Sequence, residues 1–498
     1  LVTSRRKKQR NSILWSPCRQ NEMKSMNPRF TFRRTRLALA IVAVLALSAC
    51  ASRIDATKPN LEMPASWAEA SSATAELQRD WWRGFGSDEL SGLIDQALAG
   101  NPDLNIAAER VTQAEIAARS AGASLFPLLT VSANAGVGSS KPGQAPTATG
   151  WTKNESSGVA LAVAYEVDVW GRVAAVASGA NASLNASRYD METVRLTLTT
   201  GVANAYFQTL ALRVRLKVAQ ENLAIAEKVY SIVEARYRYG SASALDMSRQ
   251  RGTVLAQRNI LLPLQVQERQ TVSALAILLG RQPQALQVVA QDLNALTVPE
   301  VSPGLPSTLI TRRPDLASVE AQLFAADANV AAARAALLPT ISLTGAAGNS
   351  SAALLALGNP AYSVGLTASF VQTLFDGNRL RLQVETSESV RRQLVESYRR
   401  TVYASLKEVD DALSNASRNL AQERAQIEIR QEARRALQLS ELRYREGADD
   451  LNTLLDAQRT LFAADDQVAQ QRLLRLTGTT DVFKSLGGGW SRIAPEAK

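Results

Sequence analysis

The chain of 498 residues contains no histidine. Ser-His-Asp and Cys-His relays are therefore ruled out, as are the imidazole ligands on which most zinc and hydrolytic chemistry relies. Two cysteines remain. Cys18 lies in a basic leader and Cys50 is the only one beyond it, so the chain after the leader cannot close an internal disulfide. The run Gly487-Gly488-Gly489 sits near the C-terminus, outside the strand-loop-helix setting of a phosphate-binding loop, and reads as a flexible tail. No nucleophile and base set for an envelope hydrolase emerges. No metal site or cofactor is expected, and the one thiol with a defined context is Cys50.

That context is a secretory leader. Arg29, Arg33, Arg34 and Arg36 precede an apolar run from Leu37 to Leu47, followed by small residues. The run is too short for an ordinary spanning helix. Its end, Leu47-Ser48-Ala49-Cys50, resembles the lipobox of bacterial lipoproteins. The resemblance implies a diacylglyceryl group on the Cys50 thiol, cleavage that leaves Cys50 as N-terminus, and acylation of its amine. Ala51 after the cysteine resembles the sorting pattern of outer-membrane lipoproteins. A plain signal peptide with a chance cysteine is the competing reading. Met26 is a plausible start, because residues 1–25 add nothing a signal requires. The formal charge of +10 belongs to the same segment. Residues 1–49 hold 11 of the 56 Lys and Arg but one of the 46 Asp and Glu, leaving 45 of each sign beyond them. A neutral mature chain argues for no nucleic-acid partner.

The elements that follow are laid out twice. Asn101-Pro102-Asp103-Leu104 opens a helical pattern that runs to Pro127, and Arg313-Pro314-Asp315-Leu316 opens another that runs to Pro339, the second proline standing 25 positions after the first in both. After each comes an alternating segment, a glycine at Gly171 or Gly377, and a long helical pattern that breaks at Gly240 or Gly447. The unit is thus half a protein, not a short solenoid repeat. Residues 51–80, rich in Ala, Ser, Thr and Pro, read as an extended tether ending at Trp81-Trp82 and Phe85. These aromatics either pack against the body or sit at a membrane interface.

In the first long span, apolar or small residues alternate at steps of four and three from Leu198 through Val202, Ala205, Thr209, Leu212, Leu216, Ala219, Leu223, Ala226 and Tyr230 to Val233. Val402, Leu406, Val409, Leu413, Ala416, Leu420 and Ile427 repeat this in the second. Such a seam is the coiled-coil condition, and about 70 residues of unbroken helix reach about 105 Å. Its many alanines allow either a solid bundle or a ring of helices around water. Val159, Leu161, Val163, Tyr165, Val167 and Val169 interleave with small or polar residues at the period of a strand, as do Tyr362, Val364, Leu366, Ala368 and Phe370. Leu129, Val131, Ala133, Ala135 and Val137, and more briefly Ile341 and Leu343, supply partners. Two hairpins make four strands, too few to close a barrel. If the strands cross a membrane, several chains share one barrel; otherwise they form a small soluble sheet capping a bundle.

Together the lipobox at Cys50, Trp81-Trp82 with Phe85, the two Pro-Asp-Leu helix starts, Tyr165-Glu166-Val167-Asp168-Val169-Trp170-Gly171-Arg172, and the Arg-Tyr-x-x-Gly pairs at 236–240 and 443–447 resemble the TolC-like outer-membrane efflux channels, in particular their lipidated NodT-type branch. The resemblance implies a mainly α fold with a small β part. It implies a homotrimer whose twelve strands form one barrel in outer-membrane lipid, continuous with a periplasmic coiled-coil helical tube. It further implies a passive exit duct of a tripartite efflux system, with a periplasmic adaptor (membrane fusion) protein and an inner-membrane resistance-nodulation-division (RND) pump as partners. The helix turns at Gly240 and Gly447 would lie at the periplasmic mouth. There Tyr444 and Asp456 match family aperture positions, while Thr453 stands where relatives often place an acid and Asp449 and Asp450 lie nearer the turn. Asp246 and Arg249 occupy the corresponding turn of the first repeat. Acids that open a helix also cap its backbone, which is the alternative role for Asp449 and Asp450.

The expected organisation is a leader at 1–49, a lipidated tether at 50–87, a first repeat at 88–307 with its hairpin at about 127–170, a second at 308–478 with its hairpin at about 339–375, and a tail at 479–498. The competing function is a lipid-anchored periplasmic coiled-coil scaffold without a pore, which accounts for the heptads and Cys50 but not for the hairpins.

Overall fold

The computed structural model describes residues 54–57, 59–68, 77–141, 150–300, 302–354 and 360–492. The expected lipidation site Cys50, Ala51, the leader and the suspected start at Met26 lie outside them. The first repeat consists of α1 (Asp88–Gly100), α2 (Pro102–Ala123), β1 (Leu128–Ser140), β2 (Thr152–Glu166), α3 (Arg172–Arg238) and α4 (Ala244–Leu278). The second consists of α5 (Pro314–Ala335), β3 (Thr340–Ser351), β4 (Ala361–Val371), α6 (Arg379–Arg445) and α7 (Leu451–Ser485). Corresponding helices have equal lengths: α2 and α5 are both 22 residues, α3 and α6 both 67, α4 and α7 both 35.

Local chemistry sets the helix starts. Proline at the first position of α2 and of α5 removes an N–H that would find no partner there. Asn101 Oδ1 accepts from Leu104 N at 3.0 Å and closes the first turn of α2. Ahead of α5, the buried Arg313 donates to Asp315 at 2.6 and 3.0 Å and to Glu408 at 2.7 Å, which fastens this helix to α6.

The seam read from the sequence is the buried stripe of α3. Val202, Thr209, Leu212, Ala226 and Val233 are fully covered, and Val402 and Val409 are their counterparts in α6. The principal packing partners form rows, not a closed bundle. In one, α4 lies on α3, α3 on α7 and α7 on α6; in the other, α2 lies on α3, α3 on α5 and α5 on α6. Four helices side by side make a wall segment, so the ring-like reading of the alanine-rich seams is the one the packing supports. At 1.5 Å per residue the long helices reach about 100 Å.

The largest core gathers where the tether ends. Trp81 stacks on Phe483 at 5.0 Å between ring centroids, and Phe85 meets Phe207 at 4.9 Å. Trp81, Trp82 and Phe85 are buried, so of the two sequence readings the aromatics pack against the body. The tether itself is pinned: Thr57 gives its N–H and its hydroxyl to the buried Asp327 of α5, both at 2.7 Å, and Trp67 Nε1 donates to Gly304 O at 2.8 Å.

The four strands form one antiparallel sheet in chain order, β1-β2-β3-β4. β3 runs for 12 residues, longer than the Ile341-Leu343 signal suggests. Its Gly345, Ala346, Ala347 and Gly348 have little strand preference of their own and are held by pairing to β2 and β4 on both sides. Every residue of β1 is exposed and β4 nearly so, hence the sheet is a single layer that does not cap the helices. Among the described residues no helix is long and apolar enough to cross a membrane.

Replacing Phe85 with alanine removes the ring that joins the two aromatic contacts. The expected cost is about 3–5 kcal/mol of stability, read from guanidinium unfolding of the detergent-solubilised protein.

Candidate functional site

Two surfaces could do work: the two faces of the sheet and the turns at the far end of the long helices. The pairing register shows how the sheet sorts its side chains. Leu129 faces Val163, Val131 faces Leu161 and Ala133 faces Val159 on one side. That side continues through Ile341 opposite Phe370, Gly345 opposite Leu366 and Ala347 opposite Val364. The opposite side carries Thr130, Ser132 and Asn134, then Ala160 and Ala162, then Ser342 and Thr344, then Ser363, Thr367 and Ser369. One face is greasy and the other is small and hydroxylated, with Glu166 as its one acid at the end of β2 nearest the helices. That is the alternation of a barrel with lipid outside and water inside.

The sheet passes into the helices at a braced corner. Asp168 accepts from Val173 N and Ala174 N at 3.1 and 2.7 Å and so caps α3. Glu166 holds Arg172 at 3.0 and 2.7 Å, and Trp170 Nε1 donates to Pro339 O at 2.6 Å. Within the Tyr165–Arg172 motif that the sequence singled out, Glu166, Asp168, Trp170 and Arg172 fix the direction in which α3 leaves the sheet.

At the other end, both hairpins turn through the same motif. Gly240 and Gly447 have φ of +74° and +78°, where a side chain is strained. Ser241 N donates to Arg236 O at 2.8 Å and Gly240 N to Tyr237 O at 3.0 Å; Ala448 N donates to Arg443 O at 2.8 Å and Gly447 N to Tyr444 O at 3.1 Å. These paired bonds are the Schellman closure of a helix C-terminus, and they explain the Arg-Tyr-x-x-Gly spacing.

The candidate residues at these turns separate by environment. Arg236 lies over the Tyr444 ring at 4.5 Å and also donates to Tyr444 O, tying the two hairpins together. Asp246 forms a capping box with Ser243, the two bonds being 2.9 and 3.1 Å. Arg249 reaches across to Asn452 Oδ1 at 2.9 Å, an amide in place of the acid that its charge invites. Asp450 caps α7 by accepting from Thr453 N and Oγ1, both at 2.9 Å. Asp449 is gripped by Arg443 at 2.7 and 3.0 Å. Asp456 makes no cap: its side chain is 71% accessible and stands 3.7 Å from Arg459.

The bond from Arg443 lowers the pKa of Asp449 and the Thr453 N–H lowers that of Asp450. A carboxylate held this way supports the turn fully above the ordinary aspartate value of about 3.9. That support is lost as pH falls through the lowered native value. The tertiary bonds of Arg249 to Asn452 and of Arg236 to Tyr444 carry no signal in the sequence beyond the residue types.

A lipid-facing sheet joined to a wall of long helices defines an outer-membrane channel with a periplasmic extension. The model of the family described as "Outer membrane efflux protein" matches twice, at residues 93–281 and 305–488, and the chain belongs to that family. Over 461 residues it is 38% identical to the pyoverdine export outer membrane protein OpmQ of Pseudomonas aeruginosa, covering 90% of this chain and 96% of that one. It is 30% identical over 465 residues to the probable efflux pump outer membrane protein TtgC of Pseudomonas putida, covering 92% and 96%. The solved outer-membrane channel OprN superposes with a TM-score of 0.79 at 28% identity, covering 88% of this chain and 100% of that one. The protein is thus the outer-membrane channel component of a tripartite efflux system in a Gram-negative bacterium. It is a passive exit duct for small molecules delivered by an inner-membrane pump.

Because Asp450 braces this turn, Asp450→Ala is expected to speed amide exchange at Leu451–Leu454 several-fold at neutral pH while Asp450→Asn does not. Lowering the pH from 6 to 3 loosens the same turn in the unsubstituted protein, read by hydrogen exchange corrected for intrinsic rates.

Proposed function

We propose that three copies of this chain close one barrel of twelve strands over one continuous helical tube, with Asp456 lining the periplasmic aperture and a lipid on Cys50 anchoring each copy. The observation that carries this reading is the sheet: four strands with open β1 and β4 edges and a continuous apolar face. Unpaired backbone edges are intolerable in hydrocarbon, so other strands must complete the pairing.

The pinned tether supports the lipid anchor. Asp327, which holds Thr57, lies 13 residues of helix and turn before β3, a rise of about 20 Å. The seven residues from Cys50 to Thr57 span up to about 25 Å when extended. The lipid is therefore within reach of the level at which the sheet begins.

At the mouth, Asp246, Asp449 and Asp450 are occupied with capping or with Arg443, which leaves Asp456 as the acid free to face an axis. Three carboxylates at one constriction repel one another and hold cations. The same turns offer a periplasmic adaptor its docking site, and an RND pump behind the adaptor supplies the energy. Kinship to a pyoverdine export protein favours a siderophore-like secreted metabolite as cargo. The one acid on the inner face of the sheet, Glu166, is already paired with Arg172, so the sheet adds little charge filter of its own.

Two measurements test this. Extraction from envelopes in mild detergent is expected to give a trimer that falls to monomers on heating; a water-soluble monomer after removal of the lipid would favour the scaffold instead. In planar bilayers under a KCl gradient, Asp456→Ala is expected to shift the reversal potential toward zero. An unchanged potential removes Asp456 from the aperture.

A further inference from the structure

The internal duplication carries a consequence for how neighbouring copies meet. Within one chain, β2 of the first repeat already pairs with β3 of the second. Among the described residues the strand edges left open are those of β4, at the end of the second repeat, and β1, at the start of the first. The junction of β4 with β1 of the next copy is thus the same repeat-to-repeat junction as β2 with β3, made between chains. This rests on the trimer proposed above and adds to it the register.

The register can be transferred. Pro127 corresponds to Pro339, so β1 maps onto β3 with an offset of 212 residues. The hairpin registers, Leu128 opposite Ala164 and Thr340 opposite Val371, then map β2 onto β4 with an offset of 207. The glycine turns at Gly240 and Gly447 have the same offset. In the chain, Ala162 faces Ala346. Carried over, we propose that β4 of one copy pairs antiparallel with β1 of the next so that Ser369 faces Asn134 of the partner subunit, with Val371 facing Ser132 of the partner subunit and Thr367 facing Gly136 of the partner subunit.

Side-chain parity supports the same pairing independently. The apolar residues of β4 have even numbers (Tyr362 to Phe370) and those of β1 have odd numbers (Leu129 to Val137). The transferred register sets Phe370 opposite Ala133 of the partner subunit and Leu366 opposite Val137 of the partner subunit, so the greasy band stays on one face around the ring. A slip of one residue would turn one whole strand inside out. Slips of two keep the parity, and the duplication excludes them.

The register also accounts for exposed apolar side chains next to the sheet. Val167 continues the pairing of β2 past its end by donating to Ile341 O at 2.8 Å. Its counterpart is Leu374, which would donate to Leu129 O of the partner subunit. In the single chain Leu374 and Phe375 are 93% and 91% exposed, and Phe126 and Leu128, at the start of β1, are bare as well. These are the residues that the transferred junction brings together.

Disulfide trapping reads the register. Because Val167 and Ile341 form a hydrogen-bonded pair, Ala162 and Ala346 are a non-hydrogen-bonded pair, the closer kind. The Ser369 and Asn134 positions inherit that geometry on the wet inner face, where engineered thiols meet oxidant. Full-length protein carrying Ser369→Cys with Asn134→Cys is expected to give a covalent trimer on a denaturing gel after oxidation in the outer membrane. The slipped pairs, Ser369→Cys with Ser132→Cys and Ser369→Cys with Gly136→Cys, are expected to give at least tenfold less. Ala162→Cys with Ala346→Cys, which closes within one chain, checks that the face is oxidised. A slipped pair that links better than Ser369 with Asn134 overturns the register. Failure of all three while native gels show the trimer and the in-chain pair closes overturns the β4–β1 junction. Absence of any trimer on native gels instead overturns the reading on which the inference rests.

Discussion

Backbone hydrogen bonding in hydrocarbon is the constraint on which this structure depends. A strand in lipid has no water to satisfy its N–H and C=O groups, so a sheet with one apolar face and two open edges cannot stand alone there. The sheet here has that apolar face and both open edges. One polypeptide thus supplies an arc whose two edges require further strands wherever it stands in hydrocarbon. The same incompleteness shows in the helices, which pack as rows and leave wide surfaces uncovered.

The duplication makes such an arc workable. Because the two halves have matched helix lengths, a junction that works once within the chain can be repeated between chains with little new design. The halves have diverged where the repeat no longer constrains them. Trp170 in the first corner donates to Pro339 O within the same chain, while the second corner presents Leu374 and Phe375 outward. Rigid ends flank the wall. At the sheet, Asp168 and the Glu166–Arg172 pair fix the exit of α3; at the far turns, Schellman closures and the Arg236–Tyr444 contact lock the hairpins.

Acidic residues near the turns divide into structural and available ones, and the division is electrostatic. Asp450 and Asp246 meet backbone N–H groups at helix starts and Asp449 meets a guanidinium, so their charge is largely spent locally. Asp456 lies a turn and a half into α7, where intrahelical bonds already satisfy the backbone, and its carboxylate makes only an exposed ion pair with Arg459 at 3.7 Å.

Periodicity alone determined the elements. The three-four seam of Leu198–Val233, the proline pairs and the glycine stops mark helices and turns to within a few residues, while the alternation of Val159–Val169 finds β2 but misses its first seven residues, because each signal reports a local backbone geometry. Charge counting located the excess in the leader, and the absence of histidine removed the commonest catalytic sets before any coordinates were needed. What only the tertiary structure decided lies across sequence separations of hundreds of residues. It buried Trp81 against Phe483, set the small-residue strand β3 between its neighbours, pinned Thr57 on Asp327, and gave Arg249 an asparagine partner. Periodicity says which face of an element is apolar but not which element will cover it. That choice is made by the whole set of packing contacts at once.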